Sequence, residues 1–106
     1  MITIEQVRRL LSNEHFTISL HATTRALERK ISIKEIIQLA QTLELIEFYP
    51  DDKYLPSGLF LGFTNLGRPL HIQLTLNSSI TTKIITIYEP EIEKWKDNFT
   101  RRRNES

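Results

Sequence analysis

A short segment near the N-terminus groups four ionisable side chains at helical spacing. It reads S-L-H-A-T-T-R-A-L-E-R-K and contains His21, Arg25, Glu28 and Arg29. Residues three or four apart lie on one side of an α-helix, so these side chains share a face. An imidazole can transfer protons near neutral pH, and a guanidinium binds phosphate through a planar fork of donors. His21 and Arg25 therefore suit chemistry on a phosphate. The alternative is a solvated helix face on which Arg25 pairs with Glu28.

A second group of reactive side chains lies on two predicted β-strands. In P-L-H-I-Q-L-T-L, the alternation places His71 on the face opposite the leucines. In K-I-I-T-I-Y-E, the same alternation places Ile85 and Ile87 in the core and Tyr88 on the open face with His71. This face is either a functional site or the solvent-exposed polar face that antiparallel sheets often have.

Three more cations could contact a nucleic-acid backbone. Arg29 belongs to the first group on the predicted helix, and Lys53 and Arg68 lie in or near loops that flank the sheet. Phosphate contacts of this kind position a nucleic acid without reading its sequence. We therefore predict that Arg29, Lys53 and Arg68 bind nucleic acid.

Metal and cofactor sites have no support in the sequence. There is no cysteine, and the three histidines lack H-x-x-x-H or H-x-H spacing. A Gly-rich phosphate loop and a G-x-S-x-G elbow are absent too. We expect no bound metal and no cofactor.

Helices are predicted to come first along the chain. T-I-E-Q forms a capping box at Thr3, and the helix that follows should end at Ser12. Ser19 is a suitable cap for the helix of the first group, and Ser32 with Glu35 forms a second capping box. The intervening F-T-I-S-L is either a short extended piece or a linker.

Strands follow, with a change from helical to alternating periodicity. They are predicted over 43–49, 59–64, 69–76 and 83–89, and E-I-E-K-W-K-D-N-F should begin a short final helix. This order predicts an α+β fold, with N-terminal helices on one face of an antiparallel sheet of about four strands. We expect a single domain over 1–100 and a frayed, basic C-terminal tail over 101–106.

Composition is that of a soluble globular protein. The 106 residues are 40% hydrophobic and 25% charged, with a formal net charge of +1. No apolar run approaches the ~20 residues of a membrane span, and the N-terminus lacks the apolar core of a signal peptide. We therefore expect a cytoplasmic protein that does not contact membranes.

Five motifs occur in a characteristic order: S-L-H-A-T-T-R-A-L-E-R-K-I-S, I-E-F-Y-P-D-D, L-F-L-G, R-P-L-H-I and I-T-I-Y-E-P-E-I-E-K-W. They resemble a bacterial family of small domains of unknown function, whose members read S-x-H-A-x-x-R, Y-P-D-D, P-L-H-V and T-V-Y-E-P. The resemblance extends from about residue 18 to residue 95. The positions that match are His21, Arg25, His71, Tyr88 and Glu89.

The resemblance implies a fold and a function. The family is similar to the RelE and MqsR type of toxin, which implies a RelE-like (BECR-type) ribonuclease fold. It implies a toxin of a type II toxin–antitoxin pair that cleaves mRNA, at the ribosome or free. Neighbouring genes in the family imply a small zinc-finger-type antitoxin protein as the partner.

Metal-independent RNA cleavage would give each candidate residue a role. The 2′-OH attacks its own phosphate, which requires a base, an acid for the departing 5′-oxygen, and positive charge. His21 and His71 could be the acid and base, Arg25 could stabilise the charge, and Tyr88 could orient the phosphate or stack on a base. If the helices cover one face of the sheet, however, His21 can approach His71 only around an edge.

Two other readings remain open at this point. A non-catalytic module could bind protein or nucleic acid through the same residues. A merely solvated face would leave His21, Arg25, His71 and Tyr88 pointing to separate regions of solvent.

Overall fold

Each α-helix begins at a residue whose side chain can cap it. The computed structural model describes residues 2–53 and 55–104. Thr3, Ser19 and Ser32 each accept a hydrogen bond from the backbone N–H three residues further along, and both predicted capping boxes form. These bonds satisfy N–H groups that a helix leaves unpaired in its first turn. The helices are α1 (Ile4–Ser12), α2 (Leu20–Glu28) and α3 (Ile33–Gln38), the last continued by a 3₁₀ turn (Leu39–Gln41).

The main sheet has five strands in the order β1-β5-β4-β3-β2. Their bounds are β1 Phe16–Ile18, β2 Glu44–Tyr49, β3 Ser57–Phe63, β4 Pro69–Thr75 and β5 Thr82–Tyr88. The four predicted strands are confirmed, and the extended alternative for F-T-I is confirmed as β1. The sheet is mixed, because β1 pairs parallel to β5. The prediction of a purely antiparallel sheet was therefore wrong. The parallel strand β1 pairs with an edge of β5 whose backbone groups would otherwise be unpaired.

The helices pack on one face of this sheet, as predicted. Leu70, Ile72 and Leu74 of β4 point into a core that is closed by α1, α2 and α3. The side chains of β4 that alternate with these three lie on the opposite face, which carries His71. No helix in the described part of the chain is long and apolar enough to cross a lipid bilayer.

A C-terminal hairpin covers the part of the opposite face around His71. Its strands are β6 (Trp95–Lys96) and β7 (Arg101–Arg102). The expected final helix is absent, and Arg101 and Arg102 are paired in a strand rather than frayed. The reason is tertiary: Trp95 is only 4% exposed and packs edge-on against His71, with ring centroids 4.3 Å apart.

The turn of this hairpin has an uncommon backbone. Asp97, Asn98 and Phe99 have φ values of 53°, 58° and 68°, so three consecutive non-glycine residues are left-handed. Such a conformation costs roughly 1–2 kcal/mol per residue, less for Asn and Asp. Contacts within the hairpin offset part of the cost, since the Thr100 hydroxyl donates to the Asp97 carbonyl at 2.7 Å. The turn delivers the Phe99 carbonyl to His71.

A β-bulge in β5 changes which isoleucines face the core. Gln73 pairs with Thr86 but Leu74 pairs with Ile84, so Ile85 is the extra residue. Ile84 and Ile87 are fully buried in the core, whereas Ile85 is half-buried. The prediction that Ile85 lies in the core was therefore wrong, because strict alternation does not hold across a bulge.

Candidate functional site

The candidate site is a cleft between α2, the end of β5 and the C-terminal hairpin. Its volume is about 330 Å³. We call it the arginine cleft; it is lined by His21, Arg25, Arg29, Thr86, Tyr88, Glu89, Glu91, Lys94, Trp95 and Arg102. The cleft thus contains three of the four predicted catalytic residues, His21, Arg25 and Tyr88. It also contains one predicted binding residue, Arg29.

Helix α2 places the first three residues of the cleft. Ser19 fixes its start, since the Ser19 hydroxyl donates to the Ile85 carbonyl at 2.9 Å while accepting from the Ala22 N–H at 3.0 Å. Ala22 is fully buried, so the helix faces the sheet through Ala22. His21, Arg25 and Arg29 repeat every four residues and line the cleft together.

The guanidinium groups of Arg25 and Arg29 have no polar partners among residues 2–53 and 55–104. In the described part of the chain, neither guanidinium makes a hydrogen bond or an ion pair, and the Arg25–Glu28 pair of the alternative interpretation does not form. An arginine fork that is not used inside the protein remains available to a phosphate. These two arginines add positive charge to a cleft that Glu89 and Glu91 also line.

His71 is fully buried below the cleft and does not line it. Its Nε2 atom is 2.8 Å from the Phe99 carbonyl, which can only accept, so Nε2 carries a proton and donates it. The Nδ1 atom is 3.1 Å from the Tyr88 hydroxyl. Burial lowers the pKa of His71, which favours the neutral ring. In that form, Nδ1 accepts the hydrogen bond from Tyr88.

Tyr88 therefore connects the cleft to the buried histidine. Its ring lies edge-on to His71, with centroids 5.3 Å apart, and it also lines the cleft. Burial raises the pKa of Tyr88, so the phenol stays protonated. Among the described residues, no hydrogen bond or ring contact joins His21 to His71; Tyr88 contacts His71 and lines the same cleft as His21.

Arg102 and its partners hold the hairpin wall of the cleft. Arg102 donates two hydrogen bonds to Glu47, at 2.7 and 2.9 Å, and lies over the Trp95 ring at 4.8 Å. The Tyr49 hydroxyl also donates to Glu47. The hydrogen bond from Arg102 lowers the pKa of Glu47, while burial and the bond to Glu47 raise that of Tyr49 to about 12. The sequence did not single out Glu47, Tyr49 or Arg102, because Arg102 is 55 residues from Glu47 along the chain and meets it only in the folded protein.

Arg68, predicted to bind nucleic acid, lies outside the arginine cleft. Its guanidinium donates to the Glu89 carboxylate at 2.7 Å, to Glu35 at 3.2 Å, and to the carbonyls of Arg29 and Lys30 at 2.7 and 3.1 Å. Arg68 thus joins the end of α2 to the start of α3 and the end of β5. All of its donor nitrogens are used inside the protein.

Lys53 lies in a second cleft on the same side of the molecule. That cleft has a volume of about 370 Å³, and His21 lines it as well. We call it the aliphatic cleft; it is lined by Ser19, His21, Asp52, Lys53, Leu55, Thr75, Lys83 and Ile85.

Within the described residues, no group of three or more acidic, histidine or cysteine side chains could hold a metal ion.

Comparison with known proteins defines the family. A model of the family described as "Domain of unknown function (DUF4258)" matches residues 18–89. The chain belongs to the DUF4258 family. The match runs from β1 to the residue after β5 and includes His21, Arg25, His71 and Tyr88. We found no curated protein and no solved structure that matches the chain.

Proposed function

We propose that this DUF4258 protein is a metal-independent endoribonuclease that binds single-stranded RNA in the arginine cleft. The observation that carries the proposal is the pair of unpartnered guanidinium groups, Arg25 and Arg29, in one cleft with an imidazole and a protonated phenol. Guanidinium forks bind phosphate in two-bond geometry, and the charge that develops on a phosphorane is stabilised by them.

The base in this proposal is Tyr88 backed by His71. The Tyr88 oxygen takes the proton of the 2′-OH as its own proton passes to Nδ1 of His71. The imidazolium that forms keeps its Nε2–H bond to the Phe99 carbonyl. The depressed pKa of His71 keeps the ring neutral before the reaction, which is the form that accepts a proton.

His21 is the acid in this proposal. It lies in the same cleft as Tyr88 and is exposed, so its imidazolium form can donate to the departing 5′-oxygen. The 2′-oxygen forms a bond to phosphorus as the bond from phosphorus to the 5′-oxygen breaks. The products are a 2′,3′-cyclic phosphate and a 5′-hydroxyl end. This mechanism needs no direct contact between His21 and His71. It therefore does not require His21 to reach around the sheet edge to the face that carries His71.

The resemblance to RelE- and MqsR-type toxins supports the biological setting. We propose that the protein is the toxin of a type II toxin–antitoxin pair, that mRNA is the substrate, and that a small zinc-finger-type antitoxin is the partner. A RelE-like fold is part of the same proposal, and the α+β architecture with helices on one sheet face is compatible with it.

One observation favours a second candidate, a non-catalytic RNA-binding module. His71 is fully buried and both of its ring nitrogens have partners inside the protein. If this histidine only supports the fold, the cleft would bind RNA through Arg25 and Arg29 and leave it intact.

The test compares wild type with Arg25→Met, and Arg9→Met serves as the matched control. Arg9 is exposed on α1 and lines neither cleft. We expect purified wild type and Arg9→Met to cleave single-stranded RNA in the presence of EDTA and to leave 2′,3′-cyclic phosphate and 5′-hydroxyl ends. Arg25→Met should be at least about 100-fold slower, as when one donor to a developing anion is removed.

Expression in a bacterium tests the toxin reading with the same three proteins. Wild type and Arg9→Met should arrest growth at matched soluble yield, and Arg25→Met should not. Cleavage that EDTA abolishes, or that leaves 3′-hydroxyl ends, would refute the mechanism. Binding that depends on Arg25 without cleavage would establish the second candidate instead.

A further inference from the structure

The aliphatic cleft has the composition of a site for a flat, partly apolar group. Leu55 and Ile85 supply apolar walls, and Lys53 and Lys83 supply positive charge at its edge. Its volume of about 370 Å³ is within the range of small-ligand sites.

The bulge in β5 creates one wall of this cleft. Because Ile85 is the extra residue, its side chain leaves the core side and joins Thr86 toward the outer face. The Ser19 hydroxyl holds the Ile85 carbonyl at 2.9 Å, which fixes the bulge against the start of α2. Bulges are frequent beside active sites, where they redirect a side chain.

The two clefts form one track along β5. Lys83 and Ile85 line the aliphatic cleft, Thr86 and Tyr88 line the arginine cleft, and His21 lines both. At roughly 3.3 Å per residue, the five steps from Lys83 to Tyr88 extend for about 16 Å. Stacked nucleotides rise about 3.4 Å each, so the track is long enough for several nucleotides.

A fixed acidic group also faces the aliphatic cleft. Asp52 lines it, and one of its oxygens accepts hydrogen bonds from the Ser57 hydroxyl at 2.8 Å and the Gln73 amide at 3.4 Å. The other oxygen accepts from the Lys53 N–H at 3.0 Å. A carboxylate held in this way would repel a phosphate but can accept hydrogen bonds from the edge of a base.

We propose that the aliphatic cleft binds the base of the RNA nucleotide next to the phosphate held by Arg25 and Arg29. The inference rests on the proposed function and adds a subsite to it. The faces of the base lie against Leu55 and Ile85, its edge meets Asp52, and Lys83 contacts the following phosphate. His21 stands at the boundary, beside the phosphodiester that joins the two subsites.

The experiment measures binding of fluorescein-labelled pentaribonucleotides in which every ribose is 2′-O-methylated, so that no 2′-OH can attack. One base at a time is replaced by an abasic residue. Wild type should lose about tenfold in affinity at one position, which corresponds to about 1.4 kcal/mol. The other abasic positions should cost clearly less.

Leu55→Ser provides the matching protein variant, and Leu66→Ser is its control. Leu55 is 40% exposed and Leu66 is 99% exposed in a turn, so neither change opens the core. Leu55→Ser should bind the intact oligonucleotide about tenfold more weakly and show no further loss at the sensitive abasic position. Leu66→Ser should behave as wild type.

The outcomes separate this inference from the proposed function. Binding that depends on Arg25, with the same abasic penalties in wild type and Leu55→Ser, refutes the base subsite alone. Absence of binding by wild type refutes both. Position-specific binding without cleavage of unmodified RNA supports the base subsite and refutes only the catalytic step.

Discussion

Replacement of Arg68 by methionine tests whether the arginines of this protein divide into structural and functional groups. Methionine keeps an unbranched apolar side chain but removes all the donors. The change deletes the bonds to Glu89 and Glu35 and those to the carbonyls of Arg29 and Lys30. These bonds connect three segments that are distant along the chain.

The size of the effect follows from these four acceptors. A typical hydrogen bond contributes about 0.5–1.5 kcal/mol net, and bonds to charged groups contribute more. The Arg68 side chain is 26% exposed and that of Glu89 is 46% exposed, so water screens the ion pairs and lowers their share. We expect a loss of about 3 kcal/mol. At roughly 4 °C for each kcal/mol in a domain of about 100 residues, the melting midpoint should fall by about 12 °C.

Thermal unfolding followed by circular dichroism measures this change, and Arg25→Met is the matched comparison. The Arg25 guanidinium has no hydrogen-bond or ion-pair partner among the described residues, so its replacement should change the free energy of unfolding by less than about 0.5 kcal/mol. RNA affinity should respond in the opposite way, with loss in Arg25→Met and little change in folded Arg68→Met. A midpoint for Arg68→Met within about 2 °C of wild type would show that its four bonds contribute nothing net.

Two further changes test the outer face and the core. Burial holds the pKa of His71 in the folded protein below its unfolded value of 6.5. Between the folded and unfolded pKa, the unfolded chain binds more protons than the folded one. The free energy of unfolding therefore decreases as the pH falls through this range. Urea unfolding at pH 7.5 and 5.5 should show this loss in wild type and in His15→Gln but a weaker one in His71→Asn; an equal loss in His71→Asn would contradict the assignment. A Cβ atom at Gly62 would lie 2.8 Å from the Leu39 Cβ and 3.1 Å from its carbonyl, so Gly62→Ala should cost about 1–3 kcal/mol. Unchanged urea stability of Gly62→Ala would show that the 3₁₀ turn moves away from the added Cβ atom at no measurable cost in stability.

The sequence by itself determined the local structure and half of the candidate site. Capping residues and four-residue spacing placed His21, Arg25 and Arg29 on one helix, because both signals act within a few residues. Alternation along β4 and β5 placed His71 and Tyr88 on one face, and they pair across the strands. The family match over residues 18–89 spans these same elements.

Only the tertiary structure decided how accessible each of these groups is. The C-terminal hairpin buries His71, and Arg68 is used by partners 33 and 21 residues away in the chain, Glu35 and Glu89. The bulge at Ile85 puts this side chain in the lining of the aliphatic cleft, whereas strict alternation had placed it in the core. Burial, ion pairing and strand register depend on segments that meet only in the folded chain, and local periodicity carries no record of them.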